Sequence, residues 1–137
     1  MTHREEYEYL VERSRRFYET AALQVERGFY DLAAFSLEQS LQLHLKAFLL
    51  KLGVDHLKVH GVRGLLELIH EITGHGGVEE VMGRFSVELG ALEDAYITSR
   101  YIAREYRLED VERFKKVVDE VVRVVEEATG RRGEEEG

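Results

Sequence analysis

The sequence predicts an all-α fold, an antiparallel up-and-down bundle of about five helices, and three observations predict it. None of the 137 residues is proline, the residue that ends helices and shapes loops, so long helical segments are permitted throughout. Apolar residues recur through most of the chain at alternating spacings of three and four, the period of one helix face. Glycines punctuate these segments, most clearly at Gly28, Gly53 and the trio Gly74, Gly76 and Gly77. The length suits one domain over residues 1–130, followed by an acidic tail over 131–137 that is expected to be disordered and solvated.

A first helix over residues 4–27 keeps Tyr7, Val11, Ser14, Tyr18, Ala21 and Val25 on one face. Gly28 supplies its C-cap, and Asp31 is placed to cap the next helix from about Leu32. That second helix, to Leu52, is apolar around most of its circumference and is expected to be central. After Gly53 the stretch 54–61 reads as a connection, and a shorter helix over 62–73 turns Leu65, Leu66, Leu68, Ile69 and Ile72 inward. A fourth helix runs from Val78 through Ile97, past Gly83 and Gly90, with a kink or a tight contact at Gly90. The fifth, over 109–129, keeps Val111, Phe114, Val118, Val121, Val125 and Ala128 in heptad register despite its valines, and Gly130 stops it. No Gly or Pro separates the last two, yet an unbroken helix over 78–129 would be roughly 75 Å long, so a break is required there.

The formal charge is −8 and cysteine is absent. An acidic chain is not built for nonspecific duplex DNA, which demands many phosphate contacts. The polar N-terminus lacks the pattern of a signal peptide and no segment reads as a membrane span, so a cytoplasmic location is expected, in keeping with zero cysteine. The serines lie inside predicted helices and none sits on a strained nucleophile turn. Gly74-His75-Gly76-Gly77 lacks the Lys-Ser/Thr of a phosphate loop, and His70-Glu71 is followed by Gly74 where a zinc protease needs its second histidine. His56, His60 and Asp55 have ligand chemistry, but loop histidines are ordinarily solvated, and neither metal nor cofactor is expected.

Two segments stand out. Arg100, Arg104 and Arg107 stand four and three apart beside Tyr96, Tyr101 and Tyr106, and line one face if the helix persists. Guanidinium groups beside aromatic rings suit phosphate and base contacts; alternatively these arginines pair with Glu93, Asp94 and Glu105 on the surface. In the second helix Glu38, Gln39, Gln42 and Lys46 form a polar stripe in an apolar segment. It is either that helix's exposed strip or one wall of a polar site facing the arginines, and His44 is as much a packed histidine as a catalytic one.

The stretch Ala33-Ala-Phe-Ser-Leu-Glu38-Gln39-Ser-Leu-Gln42-Leu-His-Leu-Lys46-Ala47 resembles the second helix of HEPN domains (higher eukaryotes and prokaryotes nucleotide-binding), with Glu38, Gln39, Gln42, Lys46 and Ala47 in register. Arg100-Tyr101 is similar to the family's Arg-Tyr-Pro segment, with Ile102 in place of proline, and His60 before Leu65, Leu66 and Leu68 resembles its third helix. The resemblance implies a small helical bundle, often dimeric, accompanied by a minimal nucleotidyltransferase, frequently as toxin and antitoxin. Many members are metal-independent RNases using an Arg-x4–6-His motif. No histidine follows Arg100 here, and the only match to that spacing, Arg63 and His70, lies in the third helix.

The expected function is therefore a module with no catalytic residue, binding a nucleotide, RNA or a nucleotidyltransferase partner through Gln39, Gln42, Lys46, Arg100, Tyr101 and Arg104. One alternative is a metal-independent RNase toxin acting through Arg63 and His70, or through Arg100 with a distant histidine. Another is a purely structural bundle that only dimerises. A homodimer is expected because the second helix and the tyrosine-rich first helix look too apolar for five elements to bury alone.

Overall fold

A computed structural model describes residues 2–136 apart from 55–58, 60 and 102–103, and excludes the side chains of 98–101 and 131–136. Among the described residues six helices follow in order: α1 His3–Glu26, α2 Tyr30–Lys51, α3 Val62–Thr73, α4 Gly76–Arg84, α5 Ser86–Tyr101 and α6 Leu108–Glu136. The all-α bundle is as the sequence predicts. The expected histidine pair His56 and His60, with Asp55, lies outside the described residues.

Glycine ends the first two helices as expected. After α1 the Gly28 N–H bonds Val25 O at 2.9 Å and the Phe29 N–H bonds Gln24 O at 2.8 Å, and the same crossed pair recurs at Gly53 and Val54 after α2. These are Schellman caps, which satisfy carbonyls that a helix end leaves orphaned. At the other end of α1, Thr2 accepts the Glu5 N–H at 3.1 Å. Asp31 is not the cap of α2: the helix begins at Tyr30, and the Asp31 carboxylate stands in its first turn, where the helix dipole favours negative charge.

The count is six rather than five because the fourth expected helix divides, and it divides at Phe85 rather than at a glycine. Phe85 leaves the helical region at φ −107°, ψ 24°, and its side chain is buried with the core. Arg84 stacks over the Phe85 ring at 4.6 Å and reaches Glu120 of α6 at 3.6 Å. The break lets α4 lie on α6 and carries an aromatic ring inward. Gly90 stays helical and is instead a point of close approach, where a Cβ would stand 3.4 Å from Arg63 Nη1.

The expected arginine face does not form, because Arg104 and Arg107 lie in non-helical chain between α5 and α6. Two features set that break. Tyr106 turns inward and meets Phe114 edge-on at 6.4 Å. Asp110 reaches back to accept the Arg107 N–H at 2.9 Å, the reciprocal half of a capping box, and so starts α6 without help from glycine or proline. At its far end α6 continues past Gly130 to Glu136; an interior glycine weakens a helix by about 1 kcal/mol without breaking it.

Ser14 bonded to Ser40 and Gln24 bonded to Ser36 make α1 and α2 an antiparallel hairpin. Tyr96 stacked on Phe35 at 6.1 Å, with Glu93 beside Glu38 one turn further along α2, lays α5 antiparallel to α2. The Tyr18 hydroxyl donates to Asp119 at 2.8 Å, tying α1 to α6. Four directions therefore alternate, α1, α2, α4 with α5, and α6, while α3 is inserted between α2 and α4. Leu37, Leu41, Leu45 and Leu49 of α2 occupy the centre, with the predicted heptad residues of α6 packed against them. Apart from Leu32 in its first turn, the apolar circumference of α2 is thus covered within one chain. No helix of the described residues is long and apolar enough to cross a membrane.

Candidate functional site

The polar stripe of α2 is not one exposed strip. Glu38 is only 1% exposed, and its carboxylate is held by its own helix. Gln39 donates to Glu38 Oε2 at 2.8 Å, Gln42 donates to Glu38 Oε1 at 2.7 Å, and Lys46 donates to Gln42 Oε1 at 2.9 Å. Helical spacing puts Glu38, Gln42 and Lys46 one above another, so each link spans a single turn. Burial pushes the Glu38 carboxyl above the usual carboxylate range and the neighbouring Glu93 adds to this, against the two glutamine donors and Lys46.

Glu93 comes from α5 and is itself clamped by α3. Its Oε1 accepts the Arg63 backbone N–H at 2.8 Å, and its Oε2 accepts Arg63 Nε at 3.1 Å and Nη2 at 2.9 Å. The backbone bond lies at the first turn of α3, whose N–H groups have no partner within the helix. Gly61 makes the approach possible: its φ is +85°, and a Cβ there would stand 3.2 Å from Glu93 Oε1. Between these elements lies a cavity of about 380 Å³ lined by Glu38, Gln42, Gly61, Glu93, Tyr96 and Ile97. The α2 side gives it the Glu38 carboxylate and the Gln42 amide, and the α5 side gives it the Glu93 carboxylate with an aromatic and an aliphatic side chain. Two cations, Lys46 and Arg63, are each bonded to a residue that lines it.

The expected site residues separate in space. Gln39, Gln42 and Lys46 share the Glu38 network. Arg104 belongs elsewhere: it stacks over Tyr106 at 5.0 Å and lines a cavity of about 220 Å³ with Val87, Glu88 and Ala91, on the opposite face of α5 from Glu93 and Ile97. Arg100 and Tyr101 stand in the last turn of α5, and their side chains lie outside the described residues. Arg63 and His70 are roughly 10 Å apart along α3 and engage different helices, Arg63 with Glu93 of α5 and His70 with Glu79 of α4 at 3.6 Å. Among the described residues no group of three or more His, Cys, Asp or Glu is arranged to hold a metal.

The family model described as HEPN domain matches residues 7–128. The chain belongs to the HEPN family. Its members are nucleotide-binding and RNase-type modules. No curated protein matches this HEPN chain.

Sequence reasoning missed two members of the site, Glu93 as a lining residue and Arg63 as its clamp. They stand 30 residues apart, so no local spacing links them. The chain also has a second polar cluster. Ser14 donates to Ser40 O at 2.6 Å, Ser40 donates to Ser14 O at 2.9 Å, and His44 Nδ1 lies 3.1 Å from Ser14 Oγ. Each hydroxyl has a backbone carbonyl of the other helix as its acceptor, an arrangement that uses the serines to join α1 and α2. Burial pushes the His44 pKa down. The cluster fastens α1 to α2, and His44 is a packed histidine stacked on Phe48 at 5.1 Å.

Proposed function

We propose that this HEPN chain binds a nucleotide in the cavity between α2, α3 and α5. The observation that carries the reading is the carboxylate of Glu38, buried and held by Gln39 and Gln42 at the wall of that cavity, facing Glu93 and Tyr96. A buried ionisable group costs stability and is retained where it does something other than pack. The cavity volume falls within the roughly 300–1,000 Å³ range of small-molecule sites, Tyr96 offers a ring for a base, and Lys46 and Arg63 supply positive charge for phosphate in an acidic chain.

Calorimetric titration with nucleoside monophosphates tests it. Lys46→Ala combined with Arg63→Ala should weaken binding about tenfold or more, on the scale of roughly 1.5–3 kcal/mol for charge-assisted hydrogen bonds. Arg104→Ala, on the opposite face of α5, should leave it unchanged. Binding that survives the double change, or is lost with Arg104→Ala, overturns the site.

The reading extends to a homodimer, to a nucleotidyltransferase partner and to a toxin–antitoxin pair. Family membership supports the partner and the pair. For the homodimer the support is apolar surface at the α1–α2 turn, where Leu23, Phe29 and Leu32 are 62%, 50% and 41% exposed. Light scattering at micromolar concentration should give twice the chain mass, and Phe29→Glu should return the monomer; a monomeric wild-type chain refutes the dimer.

A further inference from the structure

We infer that the base read in this cavity is guanine, an inference that rests on the nucleotide-binding reading above. The hydrogen-bonding capacity of the wall decides it. A carboxylate oxygen offers two acceptor positions. Glu38 Oε1 accepts one bond, from Gln42, and Oε2 accepts one, from Gln39. Among the described residues Glu93 Oε1 accepts one bond, from the Arg63 backbone N–H. Three acceptor positions therefore remain on the two carboxylates that line the cavity. The donor one turn along α2 from Glu38 is the Gln42 amide, whose nitrogen carries two hydrogens and commits one to Glu38, while its oxygen is taken by Lys46. The Lys46 bond also fixes which end of the Gln42 amide faces Glu38, so the second N–H is held as a donor.

Glu38, Glu93 and Gln42 together thus present several acceptors beside one amide donor. The complementary ligand edge has adjacent N–H donors beside a carbonyl. Guanine has that edge: N1–H and the N2 amino group donate to the carboxylates, and O6 accepts from Gln42. Adenine reverses it at the middle position, where N1 is an acceptor and would place a lone pair against carboxylate oxygen. Leaving buried polar groups unpaired in this way is what gives hydrogen-bonding sites their discrimination. Tyr96 and Ile97, 38% and 52% exposed, supply ring and aliphatic surface for the face of a planar base.

Calorimetry on the full chain with guanosine, inosine and adenosine 5′-monophosphates tests the inference. Guanosine monophosphate should bind at least about tenfold more tightly than adenosine monophosphate. Inosine monophosphate, which keeps N1–H and O6 but lacks the N2 amino group, should fall between them. Glu38→Gln removes one acceptor oxygen and should bring the guanine and adenine affinities toward parity. The ligand series needs no variant and so decides the matter even if that protein fails to fold. Adenosine monophosphate binding as tightly as guanosine monophosphate, or an inosine affinity equal to that of guanosine, overturns guanine recognition and leaves nucleotide binding standing. Absence of binding by all three overturns both readings.

Discussion

Truncating Leu45 to alanine is expected to lower the free energy of unfolding by about 2–5 kcal/mol, the range for deleting a buried leucine side chain with partial collapse of the cavity. Leu45 is fully buried in α2, the helix that packs against α1, α3, α5 and α6. A void there opens inside the shared core rather than at its surface, which places the cost within that range. Val87→Ala is the control. Val87 belongs to α5 and is 77% exposed, so its loss should change stability by no more than about 0.5 kcal/mol. Urea denaturation followed by circular dichroism measures both, and an unchanged slope with denaturant would show that the native packing, rather than the denatured chain, has been altered. A loss under about 1 kcal/mol for Leu45→Ala would mean that α2 is not the centre of the fold.

That centre was legible in the sequence because a helix apolar all round has nowhere to go except between others. The caps at Gly28 and Gly53 were legible for a similar reason: a left-handed residue after an apolar period has few meanings. Phe85 was not legible. Its break comes from the competition between continuing a helix and turning one aromatic ring into a core whose position is set by α6, and the neighbouring Gly83 and Gly90 drew attention away from it. The start of α6 could have been found, since Asp110 stands where a carboxylate reaches back to the N–H of Arg107, but the cluster of arginines invited an unbroken helical face instead. In the site, the stripe from Glu38 to Lys46 was visible because its links span one turn each. Its burial was hidden, because the cover comes from Glu93 and Tyr96 on α5. Arg104, expected to face that stripe across a polar site, lies across α5 from it, because Arg104 stands in non-helical chain beyond the end of α5.

Two substitutions at Glu38 are expected to differ in sign. Glu38→Ala should cost about 2–4 kcal/mol at neutral pH, since it opens a cavity and leaves the amide donors of Gln39 and Gln42 without their acceptor. Glu38→Gln keeps the volume and an acceptor oxygen while removing the charge. The folded Glu38 pKa is raised, chiefly by burial, so its contribution to stability is fully present below the unfolded carboxyl pKa of about 4.3 and is lost as pH rises through the folded value. Ionisation of Glu38 therefore opposes folding at pH 7. It follows that the stability of Glu38→Gln relative to wild type should rise between pH 4 and pH 7, because only the wild-type chain must ionise a buried group over that interval. Urea melts of the two proteins at both values give the difference directly. A difference that stays level or falls with pH would mean that Gln39, Gln42 and Lys46 outweigh burial and hold the carboxylate ionised in the fold. A rising difference would show a carboxylate kept at the cavity wall against the interest of stability, as a binding group is.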